Sequence, residues 1–95
     1  MKEIVIEEYL ISRTKALGGA ALKMPSQWYR HIPDRLLLLP GGKMAFVELK
    51  RPGAKPREGQ RKMGKWLKKL GFEWFIIDSK ISVDALLVYL TEEEY

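Results

Sequence analysis

The sequence contains no cysteine and only one histidine, His31. Disulfides and thiolate-bound metals are therefore excluded, and a single imidazole is too few for an ordinary zinc site. Any bound metal must be held by oxygen ligands, which favours Mg²⁺ or Mn²⁺. No apolar run approaches the roughly 18 residues that cross a bilayer, and the N-terminus lacks the layout of a signal peptide. We expect an intracellular protein with no membrane association.

Length and composition are those of a small globular protein. The chain has 95 residues, of which 46% are hydrophobic and 31% charged. These values predict one folded domain over residues 1–95, with a single hydrophobic core.

Negative charge is scarce between Lys50 and Lys69. This segment holds nine basic residues and one acid, Glu58, so its net charge is +8, whereas the rest of the chain has eight basic and eleven acidic residues, a net charge of −3. Such asymmetry is expected of a protein with one face against a polyanion such as nucleic acid. A solvated helix face explains the charge equally well.

Apolar spacing and turn residues predict an alternating order of helices and strands. The order is α-β-β-β-α-β-α, an α/β fold in which helices flank a central mixed sheet. Ser82 is a plausible N-cap of the last helix, and an apolar stripe of Met63, Trp66, Leu67 and Leu70 should face inward from the second helix. The predicted ranges are helices over Glu3–Leu17, Arg57–Leu70 and Val83–Leu90, and strands over Ala20–Met24, Asp34–Leu39, Lys43–Lys50 and Phe72–Ile77.

The two middle strands form a predicted β-hairpin around Pro40-Gly41-Gly42. A regular two-residue turn at the glycines would pair Arg35 with Glu48, which leaves Asp34 on the opposite face of the sheet from Glu48. A bulge or kink at Pro33-Asp34 is then needed to bring the two carboxylates together.

Glu48 and Lys50 lie on one face of a strand that is otherwise suited to burial. A buried charge costs several kcal/mol unless it is paired or bound to a metal. The alternative is a strand whose end reaches solvent, and a lone Glu-X-Lys favours that alternative. Asp34, brought back by the hairpin, adds a second carboxylate, and two carboxylates can hold a divalent ion with the Leu49 carbonyl as a third ligand.

Three segments follow a glutamate-bearing helix that ends in Gly-Gly: Pro33-Asp34-Arg35, then Phe46-Val47-Glu48-Leu49-Lys50-Arg51, then Gln60. Together they resemble the VRR-NUC family of PD-(D/E)XK nucleases. The resemblance extends from Glu3 to about Leu90. It implies a restriction-endonuclease-like core, dependence on Mg²⁺ or Mn²⁺, and hydrolysis of DNA. Compact stand-alone members, often viral, are similar to Holliday junction resolvases and work as homodimers, which implies a branched DNA substrate and, for a viral protein, the cytoplasm of a bacterial host.

The resemblance also implies roles for individual residues. Asp34 and Glu48 would be metal ligands, Lys50 the catalytic lysine and Gln60 a supporting polar residue, although Gln60 could equally cap its helix. The family uses a glutamate of the first helix, which here could be Glu7 as a catalytic residue, Glu3 as a further metal ligand, or the adjacent Glu8.

Basic and aromatic residues provide candidate contacts to DNA. A loop histidine such as His31 is more often a packing residue than a general base. Gln27, Trp28 and Tyr29 could stack on DNA, or the aromatic rings could pack on the core or a dimer partner. The side chains expected to contact phosphates are Arg30, Lys55, Arg57, Arg61, Lys62, Lys65 and Lys69.

The sequence favours a metal-dependent, structure-selective endodeoxyribonuclease. Two other classes of protein share its basic segment: a nucleic-acid-binding module without catalysis, and a non-catalytic subunit of a repair complex. Cleavage that depends on Glu48 and Lys50 separates the first hypothesis from the other two.

Overall fold

The order of helices and strands is the one predicted from the sequence. The computed structural model describes residues 1–25, 27 and 29–92. Its elements are α1 (Glu3–Ala16), β1 (Ala20–Lys23), β2 (Arg35–Leu39), β3 (Lys43–Leu49), α2 (Glu58–Lys69), β4 (Trp74–Ile77) and α3 (Lys80–Thr91).

The four strands form one mixed sheet in the order β1-β2-β3-β4. The pairs β1–β2 and β2–β3 are antiparallel, while β3 and β4 are parallel. Parallel neighbours need a crossover connection, and α2 supplies it as predicted.

The register of the hairpin differs from the predicted one. Leu39 pairs with Lys43 and Arg35 pairs with Val47, so the connection has three residues, Pro40 to Gly42, and the expected two-residue turn is wrong. Gly41 and Gly42 both have positive φ, 84° and 75°, a conformation that favours glycine. Continuing this register by one residue places Asp34 opposite Glu48, so the predicted bulge or kink is not needed.

The main core lies between one face of the sheet and the helices α1 and α3. Ile6 and Leu10 project from α1 as the helical spacing predicts, whereas Leu17 lies beyond the helix end and is 39% exposed. The core residues are Ile6, Leu10, Leu37, Leu39, Ala45, Val47, Leu49, Ile77, Val83, Leu86, Leu87 and Leu90. Alternation along β3 sends Glu48 to the opposite face, beside α2.

Helix α2 packs on β4 at a close approach made possible by glycine. Gly64 is buried, and a Cβ atom there would collide with the Trp74 ring. Leu67 is buried beside it, but Trp66 and Leu70 are 49% and 54% exposed. The prediction that the whole apolar stripe faces inward is wrong for these two residues, because only one side of α2 meets the sheet.

Helix α3 begins earlier than predicted. Its N-cap is Ser79, whose Oγ accepts a hydrogen bond from the Ser82 backbone N–H at 3.0 Å, while the Ser82 Oγ accepts one from the Ser79 N–H at 3.1 Å. Ser82 is therefore the third helical residue of a capping box and not the N-cap. Among the helices of the described residues, none is long and apolar enough to span a membrane.

Candidate active site

Glu48 is a buried carboxylate near the end of β3. Its side chain is 1% exposed, and its pKa is raised from 4.5 to about 8. Burial is the largest cause, followed by the Asp34 carboxylate and, more weakly, the Glu3 carboxylate, while Lys50 acts in the opposite direction. An ionised Glu48 is therefore unfavourable in this environment without further positive charge.

The two oxygens of Glu48 have different surroundings. Oε1 accepts a hydrogen bond from Gln60 Nε2 at 2.9 Å, and Lys50 Nζ lies 3.9 Å from the same oxygen. Oε2 is buried without a hydrogen-bond partner among the described residues. A buried, unpartnered carboxylate oxygen is costly, and it has the chemistry of a ligand for a hard cation.

Asp34 lies just before β2 and faces the end of β3. Its Oδ2 accepts a hydrogen bond from the Leu49 backbone N–H at 2.7 Å, which fixes the carboxylate beside the next strand. Its charge raises the pKa of Glu48, and so does a hydrogen bond between the two carboxyl groups, so the pair shares a proton near neutral pH and the two groups repel one another once both are ionised. A divalent cation between them would remove this repulsion, and the pair therefore fits Mg²⁺ or Mn²⁺.

Lys50 follows β3 immediately and is held by β4. Its backbone N–H donates to the Ile77 carbonyl at 2.9 Å, and its side chain is only 16% exposed. The ammonium group thus lies next to Glu48 with little freedom to point elsewhere. At 3.9 Å from Glu48 Oε1, Lys50 Nζ forms an ion pair that is longer than a hydrogen bond.

Gln60 has both of the roles that its sequence position allowed. Its Oε1 accepts from the Arg57 N–H at 2.8 Å, as in a capping box, while its Nε2 donates to Glu48. The capping bond orients the amide so that its NH₂ group faces the carboxylate. The start of α2 and the buried acid are thereby joined through one side chain.

The three glutamates of α1 have different surroundings. Glu7 Oε2 pairs with Arg35 Nε at 3.0 Å, and Arg35 also donates to the Ala21 carbonyl at 3.0 Å. Glu3 is the glutamate of α1 whose charge raises the pKa of Glu48, while Glu8 is exposed. The Glu3 effect is the smallest of the contributions to this pKa and Glu3 is itself exposed, whereas the Glu7 carboxylate is held by an arginine.

Sequence reasoning missed the role of Arg35. The residue adjoins the Pro-Asp motif, and strand alternation places it on the α1 side of the sheet, which was the available signal for a partner on that helix. Across the described ranges, no group of three or more Asp, Glu, His or Cys side chains is arranged to hold a metal ion. Asp34 and Glu48 form a centre of two carboxylates.

The cationic residues lie on the surface. Lys62 pairs with Glu58 at 3.4 Å, with both side chains at least 75% exposed, so the pair contributes little to stability. The predicted phosphate-binding side chains are all exposed: Arg30, Lys55, Arg57, Arg61, Lys62, Lys65 and Lys69.

The loop before Asp34 approaches the start of α2. His31 has a positive φ of 63°, and a Cβ atom at Gly59 would collide with its ring. The ring therefore packs against the first turn of α2, next to Gln60. Gln27 and Tyr29 are exposed, and Trp28 lies outside the described residues.

Comparison with known proteins places this chain in a family. No family model matches the sequence. "Putative nuclease p44" of Acyrthosiphon pisum secondary endosymbiont phage 1 is 41% identical over 80 residues, which cover 84% of this chain and 86% of that protein. A solved structure of a VRR_NUC domain superposes with a TM-score of 0.83 at 32% identity and covers 90% of this chain and 92% of its own. The sequence resemblance, the order of elements and these relatives agree: the chain belongs to the VRR-NUC family of nucleases.

Proposed function

We propose that this protein is a Mg²⁺- or Mn²⁺-dependent endonuclease that hydrolyses phosphodiester bonds of DNA. The observation that supports it most is the Glu48 carboxylate, which is buried next to Asp34 with one oxygen unpartnered among the described residues. Ionising Glu48 next to Asp34 is unfavourable in the protein alone, whereas a bound divalent cation would stabilise both carboxylates.

Asp34 and Glu48 are the proposed metal ligands, with the Leu49 carbonyl and Glu3 as further ligands, directly or through water. The chemistry supplied by a bound Mg²⁺ or Mn²⁺ is polarisation of the scissile phosphate and a lowered pKa for a bound water. The hydrogen bond from Gln60 holds one Glu48 oxygen, and the other oxygen would be the one available to hold the ion. Glu7 has an indirect role in this proposal, since it holds Arg35 and thereby the start of β2.

Lys50 is the proposed catalytic lysine. Its ammonium group can donate to the attacking water and so orient the oxygen toward phosphorus. The same positive charge offsets the negative charge that develops on the phosphate oxygens in the transition state. The hydrogen bond from its backbone to β4 fixes where the side chain starts.

A cleavage assay tests this proposal. Duplex, single-stranded and four-way branched DNA are incubated with the native protein, Glu48→Gln and Lys50→Met, each with Mg²⁺, with Mn²⁺ and with a chelator. We expect cleavage by the native protein with metal only, and a loss of about 100-fold or more in either variant, the scale at which electrostatic catalytic groups act. Lys43→Met, an exposed lysine at the hairpin turn, is the matched control and should cut normally. Metal-independent cleavage, or equal cleavage by Glu48→Gln, would contradict the assignment.

We further propose a branched DNA substrate and a homodimeric enzyme that acts in the cytoplasm of a bacterial host. Each chain has one candidate site, and a symmetric junction requires two cuts, so two-fold pairing is the simplest solution. The outer side of α3 supports it: Ile81 and Val88 are 82% and 66% exposed, and Ala85 lies between them on the same side. The phage origin of a relative supports the bacterial setting.

A binding module without catalysis, or a non-catalytic repair subunit, would use the same basic surface. Neither accounts for the buried Glu48 carboxylate beside Asp34. The cleavage assay also decides between these classes, because a protein that binds DNA and never cuts it would belong to one of them.

A further inference from the structure

Trp66 is a large aromatic side chain that the fold leaves half exposed. Its side of α2 also carries Leu70, which is 54% exposed. The sheet side of the helix is filled by Gly64 and Leu67, which are buried. Packing among the described residues therefore does not explain why a tryptophan occupies position 66.

The position of Trp66 relative to the site follows from helix geometry. Gly59, Met63, Trp66 and Leu70 recur at intervals of four, three and four residues, so they share one side of α2. Gly59 contacts His31 of the loop that leads to Asp34, whereas Lys68 on the other side lies over Trp74, with Nζ 5.9 Å from the ring centroid. Trp66 thus lies on the same side as the loop that enters the site.

Helix geometry also gives the distance between Trp66 and the site. Trp66 lies six positions after Gln60, which binds Glu48, and at a rise of about 1.5 Å per residue this is roughly 9 Å along the helix. A stacked nucleic-acid strand advances about 3.4 Å per nucleotide. A base over Trp66 would therefore be roughly two or three nucleotides from a phosphate in the site.

The charge around Trp66 indicates what kind of molecule covers it. Lys62 and Lys69 are four residues before and three residues after it, and so are its neighbours on the helix surface. Over its whole length α2 has five basic residues and one acidic residue, a net charge of +4. Two copies of this helix would repel each other, while a nucleic-acid strand complements both the charge and the aromatic ring.

We propose that Trp66 stacks on an unpaired base of the DNA strand whose phosphate lies in the active site, with Lys62 and Lys69 at the flanking phosphates. The inference rests on the proposed nuclease function and adds a preference: substrates with an unpaired segment two or three nucleotides from the cut are bound more tightly than continuous duplex. A base paired within a duplex cannot present its face to the ring.

Binding to DNA with a 2-aminopurine probe tests this inference. The probe occupies each of the first four positions of a short single-stranded arm on a duplex, and binding is measured in a Glu48→Gln background with metal, so that the DNA stays intact. We expect quenching of the probe at the second or third position and binding that Trp66→Ala weakens roughly fivefold to 100-fold, the range for one base stacked on an aromatic ring. Trp66→Phe should retain most of the affinity.

Leu70→Ala is the matched control, since this side chain is equally exposed on the same side of α2 and should leave binding unchanged. Equal binding by Trp66→Ala and its parent would overturn the inference. An equal loss of affinity for fully paired duplex would also overturn it. So would a dimer that dissociates, as measured by light scattering, when Trp66 is changed, because that result would assign the ring to a protein contact. Because binding is read without cleavage, these results are independent of whether the native protein cuts DNA.

Discussion

At the scale of single residues, Glu48 combines burial, a neighbouring carboxylate and a raised pKa. The folded protein holds the proton up to a pH of about 8, whereas the unfolded chain releases it near 4.5. The folded state therefore binds more protons between these two values, and its stability decreases as the pH rises through this range. The decrease is about 1.4 kcal/mol per pH unit at most.

We expect Glu48→Gln to be more stable than the native protein at pH 9, by an amount on the order of a few kcal/mol. The difference should nearly vanish at pH 5, because the native carboxyl is then protonated in the folded state. Urea denaturation of both proteins at pH 5, 7 and 9 in the presence of a chelator measures it. Replacing the chelator with Mg²⁺ at pH 9 should stabilise the native protein and leave the variant unchanged. A difference that does not vary with pH would contradict the account of Glu48.

The candidate site could be predicted in part from local patterns and in part from the family resemblance. Strand alternation places Glu48 and Lys50 on one face, whereas the resemblance assigns Asp34 and Gln60 to the site, since the predicted hairpin register leaves Asp34 on the wrong face. Glu3 and Glu7 could not be separated in this way, since they lie one turn apart on one helix. Only the pairing of Glu7 with Arg35, made across two elements, distinguishes them.

At the scale of elements, two glycines of α2 have opposite expected responses to substitution. Gly64→Ala adds a methyl group against the rigid, buried Trp74 ring, which outweighs the gain in helix propensity of roughly 1 kcal/mol. Gly59→Ala meets only the exposed His31 ring, which can move aside. We expect Gly64→Ala to lower the free energy of unfolding by about 1–3 kcal/mol.

Thermal and urea denaturation measure the effect, with Gly59→Ala as the control, expected to be neutral or mildly stabilising. Equal stability of the two variants would show that α2 can move away from β4 without cost. The result also bears on the site, because the same helix places Gln60 next to Glu48.

Sequence patterns predicted the elements better than their boundaries and exposed faces. The crossover helix and the hairpin follow from local periodicity and turn residues. The N-cap at Ser79 was missed because Ser79 and Ser82 are both acceptable capping residues, and only their mutual hydrogen bonds decide. Trp66 and Leu70 fit the apolar period of α2, but the width of the surface that covers a helix is a tertiary property.

At the scale of the whole molecule, the cationic helix and the most exposed apolar side chains of α3 lie on opposite faces of the sheet. Helix α2 is cationic, whereas the outer side of α3 presents Ile81, Ala85 and Val88, with Asp84 beside them paired to Arg13 at 3.7 Å. Two copies can approach through α3 without bringing the cationic helices together, which leaves both α2 helices free for DNA. The proposed dimer is therefore compatible with the proposed substrate.

We expect the double variant Ile81→Glu/Val88→Glu to be monomeric at concentrations where the native protein is a dimer, since it introduces four like charges into the two-fold interface. Light scattering coupled to size-exclusion chromatography measures the mass. Ser12→Glu, at an exposed position of α1, is the control and should remain dimeric. A native protein that is monomeric at micromolar concentrations, or a double variant that stays dimeric, would rule out this interface.

The hairpin connection constrains how this chain can change in evolution. Surface turns usually accept insertions and deletions, but Pro40, Gly41 and Gly42 determine which residue of β2 lies opposite Glu48. Gain or loss of one residue there would shift the pairing by one position and send Asp34 to the other face of the sheet. The length of a turn at the far end of the strands is thus inherited together with the pair of carboxylates, although no atom of the turn belongs to the site.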